Sequence, residues 1–454
     1  MVSFLYSIAG FLVAVGLLVT VHEWGHFIAA RMVGVRVLKF SIGFGRPLWQ
    51  RAGGADRTTY AIGLIPLGGY VRMLDETQDD VRPSERKRAF NNKSLVARSF
   101  VVVAGPLANF LFAILVYWII FVFGIVGVEP IVGFVQSPSP AHSAGFLHND
   151  RILTINQREV RTWHEHRLFM LDRVLDGKPL EFDVIQANGP RRTLSIDTSD
   201  LFDSDGSPAQ FESYLGVYPQ LPELPAIVGA VLDDGAAHQA GLKAGDRIVM
   251  VDGQPVGHWR ELVEIISKAE NQNLLLRIER NREQIEKVVR PQAVVVDDVV
   301  VGRIGIAAIS MDKALDGLPV ARSSITSALG KALESTWLTT SLTLKLAYLM
   351  IRQKASSENL SGPISIAQYA GRSAQGGFVP FMTFLALVSV SLGVLNLLPI
   401  PLLDGGHLLY FLIEAITGRP LSEKTIYRAQ KLGIGLLAVL FTFAFYNDIT
   451  RLFS

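Results

Sequence analysis

The stretch Phe4–His26, FLYSIAGFLVAVGLLVTVHEWGH, decides the fold. Residues 1–21 carry no charged side chain, and a run that apolar is long enough to cross a bilayer. It ends in His22-Glu23-Trp24-Gly25-His26. On a helix, residues four apart share one face, so the two imidazoles sit one turn apart with the glutamate beside them. That set suits a metal-dependent hydrolase: two ligands for zinc, and a carboxylate to take a proton from water. An unpaired glutamate between two histidines at membrane depth would otherwise be a pure cost. Motif and location together predict a protease working within, or at the edge of, the membrane.

Composition narrows the alternatives. Hydrophobic residues make up 49% of the 454, which fits a few spans joined to soluble domains. A net charge of +2 gives no reason to expect nucleic acid as a partner. The chain has no cysteine, which excludes disulfides, thiolate nucleophiles and Cys-ligated zinc. Any zinc is therefore held by histidine and carboxylate. Met1-Val2-Ser3-Phe4 lacks the basic start of a signal peptide, so the first run reads as a retained span.

Three more runs can cross the bilayer, giving spans at 1–30, 99–128, 373–403 and 431–450. The last is the shortest and borrows flanking residues. Lys and Arg crowd the short segment 31–98, from Arg31 and Arg36 through Lys93 and Arg98, which places it in the cytoplasm. Parity then puts loop 404–430 on the same side and the long segment 129–372 outside.

That outer segment repeats itself. Ile131-Val132-Gly133-Phe134-Val135 recurs as Ile227-Val228-Gly229-Ala230-Val231, and Ala141-His142-Ser143-Ala144-Gly145 as Ala237-His238-Gln239-Ala240-Gly241. Asp150-Arg151-Ile152 matches Asp246-Arg247-Ile248 at the same offset. A constant offset without gaps predicts two like units, 129–220 and 221–310. Each reads strand, helical turn, Asn-Asp or Gly-Asp turn, strand, hairpin, helix. Each also carries a hydrophobic-Gly-hydrophobic loop, Tyr214-Leu215-Gly216-Val217 and Arg303-Ile304-Gly305-Ile306. The units resemble the circularly permuted PDZ domains of bacterial proteases. That resemblance implies loops at Leu215-Gly216 and Ile304-Gly305 that offer backbone N–H groups to exposed peptide C-termini. The repeated Ala-Gly and Asp-Arg-Ile positions belong to the fold.

Two other segments carry information. In 31–98, Gly43-Phe44-Gly45-Arg46-Pro47 and the apolar stretch from Tyr60 to Gly68-Gly69-Tyr70 predict a β-hairpin or small sheet associated with the membrane. Its edge at Gly68 and Gly69 is a candidate for pairing with an unwound substrate. Segment 311–372 includes Leu338, Leu342, Leu346 and Leu349 near helical spacing, so residues 331–351 predict an amphipathic helix on the outer membrane face.

A catalytic zinc needs a third protein ligand and an open position. Asp404 is the first charge after the third span, in Asn396-Leu397-Leu398-Pro399-Ile400-Pro401-Leu402-Leu403-Asp404-Gly405-Gly406. His22 lies roughly 27 Å along a helix that starts near residue 4, at the cytoplasmic end. The two groups therefore arrive at one depth. His407 and Glu414 are the competing ligands. Glu23 is the expected general base, and Asn396, an amide in an apolar run, the expected oxyanion donor or substrate clamp.

With His22-Glu23-x-x-His26, Asn396-x-x-Pro399-x-Pro401-x-x-Asp404-Gly405 and Ser361-Gly362-Pro363-Ile364 together, the chain resembles the site-two intramembrane metalloproteases over nearly its whole length. The resemblance implies zinc ligands at His22, His26 and Asp404, Glu23 as catalyst and Asn396 near the substrate. It also implies a bacterial inner-membrane enzyme. Its substrates would be single-span proteins already cut on the periplasmic side, of anti-sigma factor and remnant signal-peptide type. The PDZ pair would filter out bulky, uncut chains. The expected architecture is thus a multi-pass α-helical membrane protein of four transmembrane helices, with two inserted α+β PDZ domains and a small membrane-associated hairpin. The alternative is a catalytically inactive, membrane-anchored PDZ scaffold.

Overall fold

The computed structural model describes residues 2–77, 79–186, 189–199, 211–221, 223–296, 299–309, 320–352 and 362–453. The first apolar run is a single helix, α1 (Val2–Met32). After it come two long strands, β1 (Val37–Gly53) and β2 (Thr58–Met73). The first half of β1 is sandwiched: Phe40 lies opposite Val71 at the end of β2 and opposite Tyr60 at its beginning. The second half of β1 pairs again with the start of β2, Trp49 opposite Ile62. The expected hairpin is therefore folded over on itself. Its inner face packs on α1 through Phe27, Ala30, Val35, Val37 and Phe40.

Helix α2 (Leu95–Phe123) opens on the Ser94 hydroxyl, which accepts from the Ala97 amide, and ends at Gly124 with φ +96°. Pro106 lies inside it and removes the amide that would bond the carbonyl four residues back. Among the described residues, four helices are long and apolar enough to cross a membrane: Leu5–Met32, Leu95–Phe123, Phe378–Leu397 and Glu423–Arg451.

The long segment after α2 folds as two units of the same topology. In the first, β5 (Arg151–Ile155), β6 (Arg158–Glu159), β7 (Leu180–Ile185) and β8 (Arg192–Ile196) form a sheet of order β6-β5-β7-β8. In the second, β11 (Arg247–Val251), β12 (Gln254–Pro255), β13 (Leu274–Arg280) and β14 (Glu283–Val289) repeat that order as β12-β11-β13-β14. Each has a helix against its sheet, α4 (Arg167–Leu175) and α7 (Trp259–Ser267), and a closed apolar core of its own. The duplicated residues are structural, as expected. Buried Asp150 takes the Arg192 guanidinium at 2.5 Å and the Leu147 amide at 2.8 Å. Buried Asp246 takes Arg280 at 2.6 Å and the Lys243 amide at 2.8 Å.

The rest of the chain differs from the sequence reading in three places. The segment containing 331–351 forms helix α8 (Ile325–Ile351), whose buried stripe is Ala328, Ala332, Thr336, Thr339 and Leu342, so that of the leucine series only Leu342 is fully buried. Small side chains allow close approach to α2, where Tyr117 reaches Thr339 at 3.5 Å. Residues 311–319 and 353–361 of the same segment, Ser361 included, lie outside the described residues. The uncharged run 373–403 is not one span. Helix α9 (Pro363–Gln375) stops at Gly376-Gly377, Gly377 having φ +99°, and α10 (Phe378–Leu397) follows as the 20-residue crossing. The stretch 404–430, read as a loop, opens with helix α11 (Asp404–Thr417), and α12 (Glu423–Phe453) comes last.

Candidate metal centre

Three distant segments converge at one end of α1. His22 Nε2 lies 3.2 Å from His26 Nε2 and 3.2 Å from Asp404 Oδ2, and His26 Nε2 lies 3.4 Å from Asp404 Oδ2. Both imidazoles are buried and meet edge to face at 84°. The helix supplies the pair, as its four-residue spacing requires. The carboxylate is delivered by a tight turn. Leu403 donates to the Ile400 carbonyl at 3.0 Å, and Leu402 holds φ +94°, a conformation that branched residues rarely adopt. Gly405 closes the turn, because a Cβ there would strike the Leu397 and Leu398 carbonyls.

The donor set fits zinc. Bonds of 2.0–2.2 Å in a tetrahedral site place ligand atoms about 3.3 Å apart, and the three observed separations lie between 3.2 and 3.4 Å. Asp404 Oδ2 is buried with no hydrogen-bond donor. Two neutral imidazole nitrogens facing that oxygen offer it no proton, so all three atoms are acceptors waiting on a cation. His26 Nδ1 is engaged by the Val101 carbonyl at 2.8 Å, which leaves Nε2 as the free lone pair. On the other ring, the Asn109 amide lies 3.2 Å from His22 Nδ1.

Glu23 follows His22 and is half-buried beside both histidines and Asp404. The Val71 backbone of β2 lies beside its carboxylate. Gly69 lies against Val19 and Glu23, with Gly68 one step away at φ +142°. The edge of the hairpin thus meets the candidate base.

The remaining sequence candidates fall elsewhere. Asn396 is half-buried in the last turn of α10, and its amide bonds no other described residue. Of the competing ligands, His407 stacks edge-on with Tyr410 outside the His-His-Asp group, and Glu414 is held by Arg98 at 2.5 Å. Leu215 and Ile304 are buried in the two unit cores and Gly216 is buried as well; the Gly216 amide donates to the Glu212 carbonyl at 3.2 Å, and the Gly216, Ile304 and Gly305 carbonyls accept from the amides of Gln136, Ala237 and Leu232. Sequence reasoning missed Val101, whose contribution is a backbone carbonyl. It also missed Asn109, although an amide in an uncharged run was the same signal that singled out Asn396.

The family description Peptidase family M50 matches residues 10–440. The chain is 40% identical over 453 residues to the regulator of sigma-E protease RseP of Escherichia coli, covering 100% of both chains. It is 38% identical to a putative zinc metalloprotease of Vibrio cholerae, again over 100% of both. A putative zinc metalloprotease of Neisseria meningitidis is 36% identical, covering 99% of this chain and 100% of that one. Among solved structures, the PDZ domain of an SdrC-like protein from Listeria innocua covers 19% of this chain and 94% of that one at 21% identity, with a TM-score of 0.17. At the identity and coverage of its full-length relatives, the chain belongs to peptidase family M50, the site-two proteases, and is a multi-pass zinc metalloprotease of the inner membrane.

Proposed function

We propose that this enzyme cuts single-span membrane proteins near the cytoplasmic face of the bilayer, with His22, His26 and Asp404 as zinc ligands and Glu23 as general base. The observation that carries this reading is the convergence of three acceptor atoms at tetrahedral spacing beside a half-buried glutamate. Zinc, when bound, supplies Lewis acidity for the scissile carbonyl and makes water acidic enough to attack at neutral pH. Glu23 accepts the proton of the attacking water and hands it to the leaving amine. The Val71 backbone lies beside the Glu23 carboxylate. Asn396 is the candidate clamp for the substrate backbone.

The hairpin supports a substrate path. Phe44, Leu48, Trp49, Ile62, Leu64 and Ile65 are exposed on it, as suits a sheet dipping into lipid. Beyond β1, the end of β2 has no strand partner among the described residues, and it carries Gly68 and Gly69 to the base. An unwound substrate pairing there would lie extended across the site.

The two repeated units are read as tandem PDZ domains on the periplasmic side. They follow the far end of α2, while the site is level with Val101–Asn109. About 18 residues of helix, roughly 27 Å at 1.5 Å per residue, separate the two. Gate and chemistry then face opposite sides of the membrane, and the pair would admit only substrates already shortened outside. The relatives' name, regulator of sigma-E protease, favours an anti-sigma factor as substrate, and remnant signal peptides have the same single-span form.

Quantitative proteomics of membranes carrying the parent enzyme or Glu23→Gln tests this. Single-span fragments with shortened periplasmic parts should accumulate in the variant. Identical fragment profiles would overturn the substrate assignment.

A further inference from the structure

We propose that Asn109 is a positioning residue of the metal centre, whose side-chain amide holds the His22 ring through Nδ1. The inference rests on the reading of His22 as a ligand. Asn109 is completely buried, its amide nitrogen lies 3.2 Å from His22 Nδ1, and its Oδ1 has no donor. Its backbone carbonyl accepts from the Ser389 hydroxyl of α10 at 2.9 Å, and about two turns earlier on α2 the Val101 carbonyl meets His26.

The two ligand histidines are thus held in different ways. A backbone carbonyl only accepts, so Val101 commits His26 to a proton on Nδ1. An amide presents a donor and an acceptor on either side of one plane. Ligation through Nε2 leaves the proton of the neutral His22 ring on Nδ1, the atom that the Asn109 amide faces at 3.2 Å. Oδ1, which no other group donates to, is the acceptor for that proton once the amide presents it to the ring. A neutral amide also avoids placing a second anion beside Asp404 in an apolar interior. An interhelical tie alone does not explain the geometry, because α1 is already tied to α2 through His26 and the Val101 carbonyl.

The test uses the full-length protein in detergent, in the Glu23→Gln background, so that affinity is read without turnover. Zinc affinity is measured by chelator competition. Asn109→Leu, similar in size with no acceptor, should bind zinc about tenfold to a hundredfold more weakly. Asn109→Asp, which keeps an acceptor, should stay close to the parent. Asn109→Leu with parental affinity would overturn the proposal. His22→Ala separates the two readings: undiminished zinc binding there would sink the ligand assignment itself. Nitrogen-15 histidine spectra of the Glu23→Gln protein provide a second test that does not depend on the Asn109 variants folding. With zinc bound, His22 should carry its proton on Nδ1, and an unprotonated Nδ1 would overturn the role of the amide.

Discussion

Asp404 Oδ2 lies 3.2 Å from His22 Nε2, although nearly the whole chain separates the two residues. The carboxylate opens α11, where the helix N-terminus favours negative charge, and the imidazole lies toward the C-terminal end of α1. Neither helix has a metal site alone. The division of labour this implies is measurable. Glu23→Gln should keep one zinc per chain and lose about 10²–10⁴-fold in cleavage rate. Asp404→Ala should lose the zinc itself, as should treatment of the parent with a strong chelator, reversibly on zinc addition. Metal analysis of the purified proteins decides it: full zinc in Asp404→Ala would return the third-ligand role to another residue.

Close approach of α1 and α2 makes the site, and two glycines permit it. A Cβ on Gly25 would run into the Ala104 carbonyl and the Ala108 methyl, and one on Gly105 into the His26 ring. These two contacts have different consequences. Gly25→Val forces the helices apart and should cost about 1–3 kcal/mol, the usual range for overpacking. Gly105→Ala pushes on a ligand rather than on backbone, so it should lower zinc content more than it lowers the unfolding temperature. Thermal unfolding and zinc content, measured on both variants, would contradict this if they moved in parallel.

What the sequence revealed and what it hid follow from one distinction. Absence of charge over a span and repetition at a constant offset are visible in the letters. Four crossings, two like units and the depth match of His22 with Asp404 were therefore legible. The break in the third run was less so, because Gly376-Gly377 reads equally well as a packing site inside a helix. Val101 could not be found at all, since a carbonyl that orients a ligand has no letter of its own. Asn109 had a signal without a partner. The Ser361–Ile364 stretch was legible only as a resemblance, and its structural meaning lies on another helix.

That meaning is Asp448. Its carboxylate, 1% exposed on α12, accepts from the amides of Gly362 at 3.0 Å, Ile364 at 2.8 Å and Ser365 at 3.2 Å, and from the Ser365 hydroxyl at 2.5 Å. Pro363, at the first helical position, has no amide to satisfy. The last span therefore caps α9 through space. In turn α9 packs on the N-terminal end of α1, Gly371 against Ser7 and Gly10 against Ala370. Asp448→Ala strands these donors, and each buried group left unpaired costs about 1–3 kcal/mol. Hydrogen exchange at Ile364 and Ser365 should quicken, while zinc content, fixed at the opposite end of α1, should not change. Asp448→Asn, with one acceptor oxygen left, should fall between. Unaltered exchange in Asp448→Ala would show that the cap contributes nothing.

Four ion pairs join the first repeated unit to α8. Glu165 meets Lys331 at 2.8 Å, Asp172 and Asp176 both meet Lys345 at 2.7 Å, and Arg158 pairs with Glu334. Partly exposed pairs of this kind contribute about 0.2–1 kcal/mol each. Four of them hold the unit in place without making the dock permanent, and salt should loosen it. Acid should act in the same direction. Burial alone would raise the Glu165 carboxyl, but hydrogen bonds from Lys331 and the Arg161 amide outweigh it and hold it below its usual value. A carboxylate depressed in the docked state stabilises docking above its ordinary value near 4.3 and loses that effect as pH falls through the depressed one. The dock should therefore hold at neutral pH and open below about pH 4. The absence of cysteine makes the measurement clean, since two introduced labels, one on α4 and one on α8, are the only thiols. Their separation by pulsed electron paramagnetic resonance should lengthen and broaden at high salt, in acid, and in Lys345→Glu at neutral pH. A distance that stays fixed in Lys345→Glu would mean that apolar contacts, not these ion pairs, seat the unit on the membrane domain.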